Sequence, residues 1–209
     1  MCAKKRIALY GGTFDPVHVG HLEIARRVSE VFEIEKVVFI PAQMAPHKIG
    51  RPVTEPIHRY AMLALATQDD PRSVISTFEL DAPDRRYTVD TLEHFQRELA
   101  DSSELFFIMG ADSWSEIATW REWERLLAMT NHIVVTRPGY ESSIAHVGAH
   151  TGRVHFTDVV RNDVSATTIR RLAREGRMDE LVNLVPGPVL EYIKKYGIYR
   201  ELNEAKLNS

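Results

Sequence analysis

Residues 11–24 read GGTFDPVHVGHLEI and come directly after the apolar run IALY at 7–10. The apolar run predicts a strand, the paired glycines a turn, and the remainder the start of an amphipathic helix. A strand that passes through glycines into a helix start presents backbone N–H groups to phosphate. The same turn carries His18 and His21. Because residues i and i+3 lie on one side of a helix, both imidazoles can converge on a single phosphate.

This turn differs from the two best-known phosphate-binding motifs. It lacks the Gly-Lys-Ser/Thr ending of a P-loop and the G-x-G-x-x-G spacing of a dinucleotide-binding turn. A metal site on the two histidines is the alternative, but no Cys, Glu or third His follows at ligand spacing. Asp15 and Pro16 are interpreted as a structural turn into the helix. The predicted phosphate cradle consists of Gly11, Gly12, Thr13, Phe14, His18 and His21.

Composition narrows the class of protein. The 209 residues are 44% hydrophobic and 26% charged, which suits one soluble domain spanning 1–209. A net charge of −3 argues against nucleic acid as a partner. The single cysteine, Cys2, cannot form an internal disulfide, and no apolar stretch is long enough to cross a bilayer. We expect a cytoplasmic protein without a membrane partner; a homo-oligomer is compatible with the sequence, which leaves the oligomeric state open.

Apolar runs alternate with amphipathic stretches along the chain. Strands are predicted at 7–10, 37–40, 74–78, 105–109, 132–136 and 154–156. Helices are predicted at 22–32, 56–66, 88–99, 115–127, 166–175 and 188–196, with glycine stops at 176 and 197 and a surface loop at 140–152. The predicted fold class is α/β: a doubly wound, Rossmann-like parallel sheet with helices on both faces, followed by a C-terminal helical segment. Ligands of such sheets bind at the carboxyl ends of the strands.

Two further segments carry candidate ligand-binding residues. Residues 164–171 read VSATTIRR, where Ser165 is a good N-cap and Arg170 lies one turn into the helix. There a guanidinium can hold triphosphate oxygens, although a capped helix with surface arginines is an equal alternative. Gly110 and Asp112 follow a predicted buried strand, where a carboxylate can accept hydrogen bonds from ribose hydroxyls.

The segment GGTFDPVHVGHL resembles the signature of the nucleotidyltransferase superfamily that carries the H-x-G-H motif. Segments spread from residue 7 to 199 are most similar to bacterial nicotinate mononucleotide adenylyltransferases. The resemblance implies transfer of the adenylyl group of ATP to nicotinate mononucleotide, giving deamido-NAD and pyrophosphate. His18, His21 and Arg170 would be the catalytic residues. Mg²⁺ would be held mainly through the phosphates of ATP, the co-substrate, without a protein ligand.

The same resemblance extends to both substrates. The family's I-S-S-T-x-I-R element is matched at Ser165, Thr167, Ile169 and Arg170, with Ala166 in place of the second serine. Gly110 and Asp112 match a G-A-D segment that contacts the nucleotide. Acceptor contacts are implied for His47, Lys48, Tyr87, Thr88, Trp120 and Arg137, with Arg86 in place of a usual serine.

The sequence leaves several alternatives to weigh. Trp120 either stacks on the pyridine ring or is a core aromatic at helical spacing with Trp123. One alternative is the same reaction with a preference for nicotinamide mononucleotide as the acceptor. Phosphopantetheine adenylyl transfer and cytidylyl transfer are the broader rivals, and the acceptor residues argue against both. A nucleotide sensor that binds ATP without turnover is the rival of another class; retention of His18, His21 and Arg170 argues against it.

Overall fold

Six parallel strands form the centre of the protein. The computed structural model describes residues 4–43, 53–82, 87–99, 101–136, 152–158 and 164–200. The strands are β1 (Lys5–Gly12), β2 (Lys36–Pro41), β3 (Ser73–Ile75), β4 (Ser103–Gly110), β5 (Asn131–Val135) and β6 (Val154–Thr157). Their order in the sheet is β3-β2-β1-β4-β5-β6, and every neighbouring pair is parallel. The chain thus moves outward from β1 to β3 and returns to β4 beside β1, which creates a switch point where ligands of such sheets bind.

Helices cover both faces of this sheet. They are α1 (Val19–Val31), α2 (Pro56–Thr67), α3 (Thr88–Leu99), α4 (Ala111–Ser115), α5 (Trp123–Met129), α6 (Ala166–Arg174) and α7 (Gly187–Tyr196), with 3₁₀ segments at Ile117–Thr119 and Met178–Leu181. Alternate residues of β1 enter opposite cores, because side chains alternate across a strand. Ala8 and Tyr10 pack with α1, α2, α6 and α7, whereas Ile7 and Leu9 pack with α3, α4 and α5. The predicted doubly wound α/β fold is confirmed.

The prediction of one helix at 115–127 was wrong. The chain there forms the end of α4, a 3₁₀ segment and α5. Trp120 has extended backbone (φ −77°, ψ 146°), and Glu122 is left-handed (φ 51°), so the helix cannot run through either residue. Apolar spacing resembles that of a helix but carries no information about these two backbone breaks. The helical spacing proposed for Trp120 and Trp123 is therefore also wrong.

Both predicted glycine stops are confirmed at the ends of helices. Gly176 and Gly197 have positive φ (76° and 64°), the left-handed conformation that a glycine stop supplies. The helix α1 begins at Val19, ahead of the predicted start at 22, and the 3₁₀ segment at Met178–Leu181 was not predicted.

Residues 140–151 of the expected loop lie outside the described ranges. In the part of the chain that is described, no helix has the length and apolar character needed to cross a bilayer.

Candidate active site

The turn after β1 begins the site. Phe14 has a positive φ of 49° and a ring that is almost fully buried. A Cβ at Gly12 would lie 2.9 Å from that ring, so only glycine allows the turn to fold back this closely. The Phe14 ring in turn meets the His21 ring edge-on, with 5.0 Å between centroids. The glycine, the phenylalanine and the histidine therefore form one packed unit.

The two histidines lie together, as their spacing predicts. His18 is the N-cap of α1, and its ring stacks on that of His21 with 3.7 Å between centroids. The backbone N–H of His18 donates to Nδ1 of His21 over 3.2 Å. Because an accepting nitrogen carries no proton, a neutral His21 must hold its proton on Nε2. The fold thus leaves His21 with one defined N–H donor.

Burial makes His18 an unusually weak base. Its side chain is buried between the turn and α1, and desolvation lowers its pKa from 6.5 to about 4. The ring is confined from a second side, since a Cβ at Gly20 would lie 3.1 Å from its Nδ1. At neutral pH His18 is therefore an uncharged imidazole.

We predict an acid-side loss of stability caused by His18. The unfolded chain binds a proton near pH 6.5 but the folded protein only near pH 4, so the free energy of unfolding falls as the pH falls between these values. At 1.36 kcal/mol per unit, the loss is about 3 kcal/mol. Urea unfolding at pH 4 and pH 7 measures it. Because other groups also titrate, the comparison is with His18→Ala, which should lose less stability; equal losses would contradict the prediction.

A cleft opens beside the histidines at the switch point between β1 and β4. Its lining comes from the ends of β1, β4 and β5, the first turns of α1, the start of α4 and the residue Val164 before α6. Gly110 and Asp112, the expected nucleoside contacts, are exposed and line it together with His18 and His21. Nothing lies within 4 Å of a Cβ built at Gly110, so this edge of the cleft is open. The members of the lining are Tyr10, His18, Gly20, His21, Ile24, Ile108, Met109, Gly110, Ala111, Asp112, Val135, Thr136 and Val164.

The start of α6 lies across from the turn. Ser165 accepts a hydrogen bond from the Thr168 N–H, which confirms the predicted N-cap. Arg170 donates to the Asp15 carbonyl over 2.6 Å and to the Thr167 hydroxyl over 3.2 Å, so it joins α6 to the turn after β1. Ile169 was expected to contact the ligand, but its side chain is fully buried in the core. Its N–H donates to the Ser165 carbonyl, which leaves the residue no free donor for a ligand.

The expected acceptor residues are only partly described. The Tyr87 N–H donates to the Asp90 carboxylate at the start of α3, where Thr88 is the first helical residue. The Arg121 guanidinium lies 4.9 Å from the centre of the Tyr87 ring. Trp120 is half-buried, and its Nε1 is enclosed without a hydrogen-bond partner among the described residues. His47, Lys48, Arg86 and Arg137 lie outside the described ranges.

Known proteins are similar to this chain in sequence. A cytidylyltransferase-like family model matches residues 9–172. A probable nicotinate-nucleotide adenylyltransferase of Thermus thermophilus is 42% identical over 198 residues, covering 93% of this chain and 100% of the relative. One from Thermoanaerobacter sp. is 38% identical over 205 residues, covering 95% and 96%. The chain belongs to the nicotinate-nucleotide adenylyltransferase family.

A solved structure supports the fold of this nicotinate-nucleotide adenylyltransferase family member. The Plasmodium falciparum nicotinic acid mononucleotide adenylyltransferase complexed with APC superposes with a TM-score of 0.76. It is 20% identical, and the match covers 93% of this chain and 97% of that one. At this identity the likeness is one of fold, and it agrees with the parallel sheet described above.

Sequence reasoning missed a polar network beneath the turn of this nicotinate-nucleotide adenylyltransferase family member. Arg59 is fully buried, and the almost fully buried Asp15 accepts from the Tyr199 hydroxyl over 2.8 Å and from the Thr54 N–H over 3.3 Å. The sequence does indicate that Arg59 is buried, because it lies three and four residues before Met62 and Leu63 on the apolar face of α2. The contact between Asp15 and Tyr199, which are 184 residues apart, left no local signal.

Proposed function

We propose that this protein transfers the adenylyl group of ATP to nicotinate mononucleotide. The observation that carries the proposal is the stacked pair His18 and His21, at the mouth of a switch-point cleft in a member of this family. An oxygen of the acceptor phosphate forms a bond to the α-phosphorus of ATP. The bond from that phosphorus to the α,β-bridging oxygen breaks, and its electron pair leaves with pyrophosphate. The dinucleotide product is deamido-NAD.

The protein's part in this reaction is positioning and neutralisation of charge, because phosphoryl-type transfer needs little covalent help. His21 is poised to donate its Nε2–H to a phosphate oxygen, where negative charge builds up as pyrophosphate departs. His18 is neutral in the free protein, and a polyphosphate beside it would favour its protonated form. We therefore assign both histidines to the α- and β-phosphates, and the positive end of α6 with Arg170 to the leaving pyrophosphate.

The cradle and the substrate pockets complete the proposal. Gly11, Gly12, Thr13 and Phe14 bring backbone to the phosphates, and Ser165 and Thr167 supply hydroxyls at the start of α6. Gly110 and Asp112 are assigned to the nucleoside of ATP. The proposed acceptor contacts are His47, Lys48, Tyr87, Thr88, Trp120 and Arg137. The Plasmodium falciparum relative has also been solved in complex with NaAD, the same kind of dinucleotide product.

Pyrophosphate release is the experiment that tests this function. The protein is assayed with ATP and, in turn, nicotinate mononucleotide, nicotinamide mononucleotide and phosphopantetheine. We expect release with nicotinate mononucleotide at the highest kcat/KM. A higher kcat/KM with the amide would select the rival mononucleotide activity, and release with phosphopantetheine alone would select the other transferase. Binding of ATP with no release in any mixture would identify a sensor.

We infer that Mg²⁺ enters with ATP. Among the described residues, no group of three or more His, Cys, Asp or Glu side chains is arranged to hold a metal ion. Mg²⁺ commonly keeps phosphate and water ligands, and the triphosphate of ATP supplies the phosphate oxygens. When bound, the ion supplies neutralisation of the triphosphate charge.

We predict that activity is lost in excess EDTA and returns when Mg²⁺ is added above the chelator, because the triphosphate charge is then neutralised again. Pyrophosphate release measures both steps. A thermal unfolding curve in EDTA serves as the control, and it should not change. Full turnover in EDTA would contradict the prediction.

We also propose one domain spanning 1–209 and a cytoplasmic location. The six strands of the described ranges belong to one sheet, whose cores on both faces include residues from β1 and β4. The substrates proposed above are small soluble molecules, so neither a nucleic acid nor a membrane is needed as a partner.

Trp120→Ala distinguishes a stacking ring from a core aromatic. If the indole stacks on the pyridine ring, we expect the KM for the mononucleotide to rise about tenfold, with kcat and the KM for ATP changing much less. Steady-state kinetics with each substrate varied measures this. Trp123→Ala is the matched control, because that ring packs half-buried against the same core. A lower Tm with an unchanged KM would show that Trp120 is a core residue only.

A further inference from the structure

Arg59 lies at the centre of a buried contact between three chain segments. It belongs to α2 and has no exposed surface. Its Nε donates to the Thr54 carbonyl over 2.9 Å, its Nη1 to the Thr13 carbonyl over 2.8 Å, and its Nη2 to the Gln43 carbonyl over 3.2 Å. One guanidinium therefore joins the turn after β1, the end of β2 and the approach to α2.

Burial of the charged Arg59 guanidinium costs free energy of solvation. Burial lowers the pKa of Arg59, while the nearby charge of Asp15 works in the opposite direction. Among the described residues the guanidinium forms no ion pair, and its hydrogen bonds go only to backbone carbonyls. An apolar side chain would avoid the desolvation penalty but would leave the Thr13, Gln43 and Thr54 carbonyls without this donor. What the arginine adds is a fixed geometry for three carbonyl groups.

The geometry matters most at Thr13. In a trans peptide the C=O and the following N–H point in opposite directions, so a fixed Thr13 carbonyl also fixes the Phe14 N–H. That N–H donates to no protein acceptor within the described ranges. The neighbouring carbonyls are fixed as well, because Gly12 accepts from the Ala42 N–H and Asp15 accepts from Arg170. The turn is thus held through its carbonyls.

We propose that Arg59 is a positioning residue: by binding the Thr13 carbonyl it aims the Phe14 N–H at the reacting phosphates. Through Gln43 and Thr54 it also ties the chain just after β2 to the approach to α2. The inference rests on the function proposed above. Arg59 acts through the turn and does not itself touch a substrate.

Two substitutions test this role. Arg59→Met keeps the length of the side chain but removes every donor, and Arg59→Lys keeps the charge but cannot span three carbonyls. We expect kcat to fall about 30-fold in Arg59→Met and about tenfold in Arg59→Lys, since small misplacements of catalytic groups are costly. The KM for ATP should change by less than about threefold, because the substrate's other contacts remain. Kinetics are measured at a temperature where each variant is folded.

Leu63→Ala is the matched control. Leu63 is fully buried on the same helix, one turn after Arg59, and its truncation should cost about 2–5 kcal/mol of stability while the hydrogen bonds of the turn remain. We expect this variant to keep wild-type kcat and KM at the same temperature. If Arg59→Met behaves like Leu63→Ala, with lowered Tm and unchanged kinetics, the positioning role is wrong.

The outcomes separate the two proposals. An inactive wild-type protein contradicts the proposed function, whereas an active wild type with fully active Arg59 variants contradicts only the role of Arg59. Should Arg59→Met fail to fold, Arg59→Lys decides alone: wild-type kcat would overturn the inference. Recovery of activity in Arg59→Ala on adding millimolar guanidinium, with no increase in the activity of Leu63→Ala, would support it.

Discussion

Replacing His21 by alanine is expected to lower kcat about 10³-fold with little change in fold. The backbone hydrogen bond from the His18 N–H to Nδ1 of His21 fixes the proton of a neutral His21 ring on Nε2. Removal of a preorganised donor to developing negative charge commonly costs two to three orders of magnitude, or about 2.7–4 kcal/mol. The ring is also half-exposed at the cleft, so its loss opens no core cavity. Steady-state pyrophosphate release and thermal unfolding measure the two effects.

Matched variants separate this catalytic role from packing. His18→Ala should also lower kcat by orders of magnitude, because it removes the second imidazole of the stacked pair. His155 lies on β6, outside the cleft, and packs against Phe32. His155→Ala should therefore keep kcat. Near-normal kcat in either cleft variant would refute the corresponding assignment. Equal losses in all three would point to a general effect of losing a ring.

The local parts of this site could be predicted because they depend on neighbours in sequence. The spacing of His18 and His21 places both at the first turn of α1, as the N-cap and the third helical residue, where the two rings stack. Ser165 was predicted to be an N-cap for the same reason, since capping involves residues within one turn. The alternation of strands and helices likewise predicted a parallel sheet covered on both faces. These features require no knowledge of distant contacts.

The features that could not be predicted from the sequence depend on contacts between distant residues or on single backbone angles. Arg170 reaches the carbonyl of Asp15, 155 residues away, and no periodicity records such a pair. Arg59 was passed over because a charged residue on a helix is usually solvated, whereas here three carbonyls surround it. The break at Glu122 lies in one left-handed residue that is not glycine, which apolar spacing does not reveal.

Gly20→Ala is expected to separate activity from stability. Alanine is preferred over glycine in a helix by up to about 1 kcal/mol, so the free energy of unfolding should stay the same or rise. The new Cβ, however, would lie 3.1 Å from Nδ1 and 3.2 Å from Cε1 of His18. Because that ring also stacks on His21 with 3.7 Å between centroids, the imidazole must shift within the pair to make room for the Cβ. We expect kcat to fall about 100-fold.

Gly187→Ala controls for the substitution itself. Gly187 begins α7, and a Cβ built there meets no atom within 4 Å, so this variant should keep wild-type kcat. A double variant then identifies the route of the effect. If Gly20 acts only by making room for the His18 ring, Gly20→Ala should have little further effect on kcat in a His18→Ala background. Additive losses would mean that Gly20 contributes through its own backbone, as a close approach to the phosphates would require.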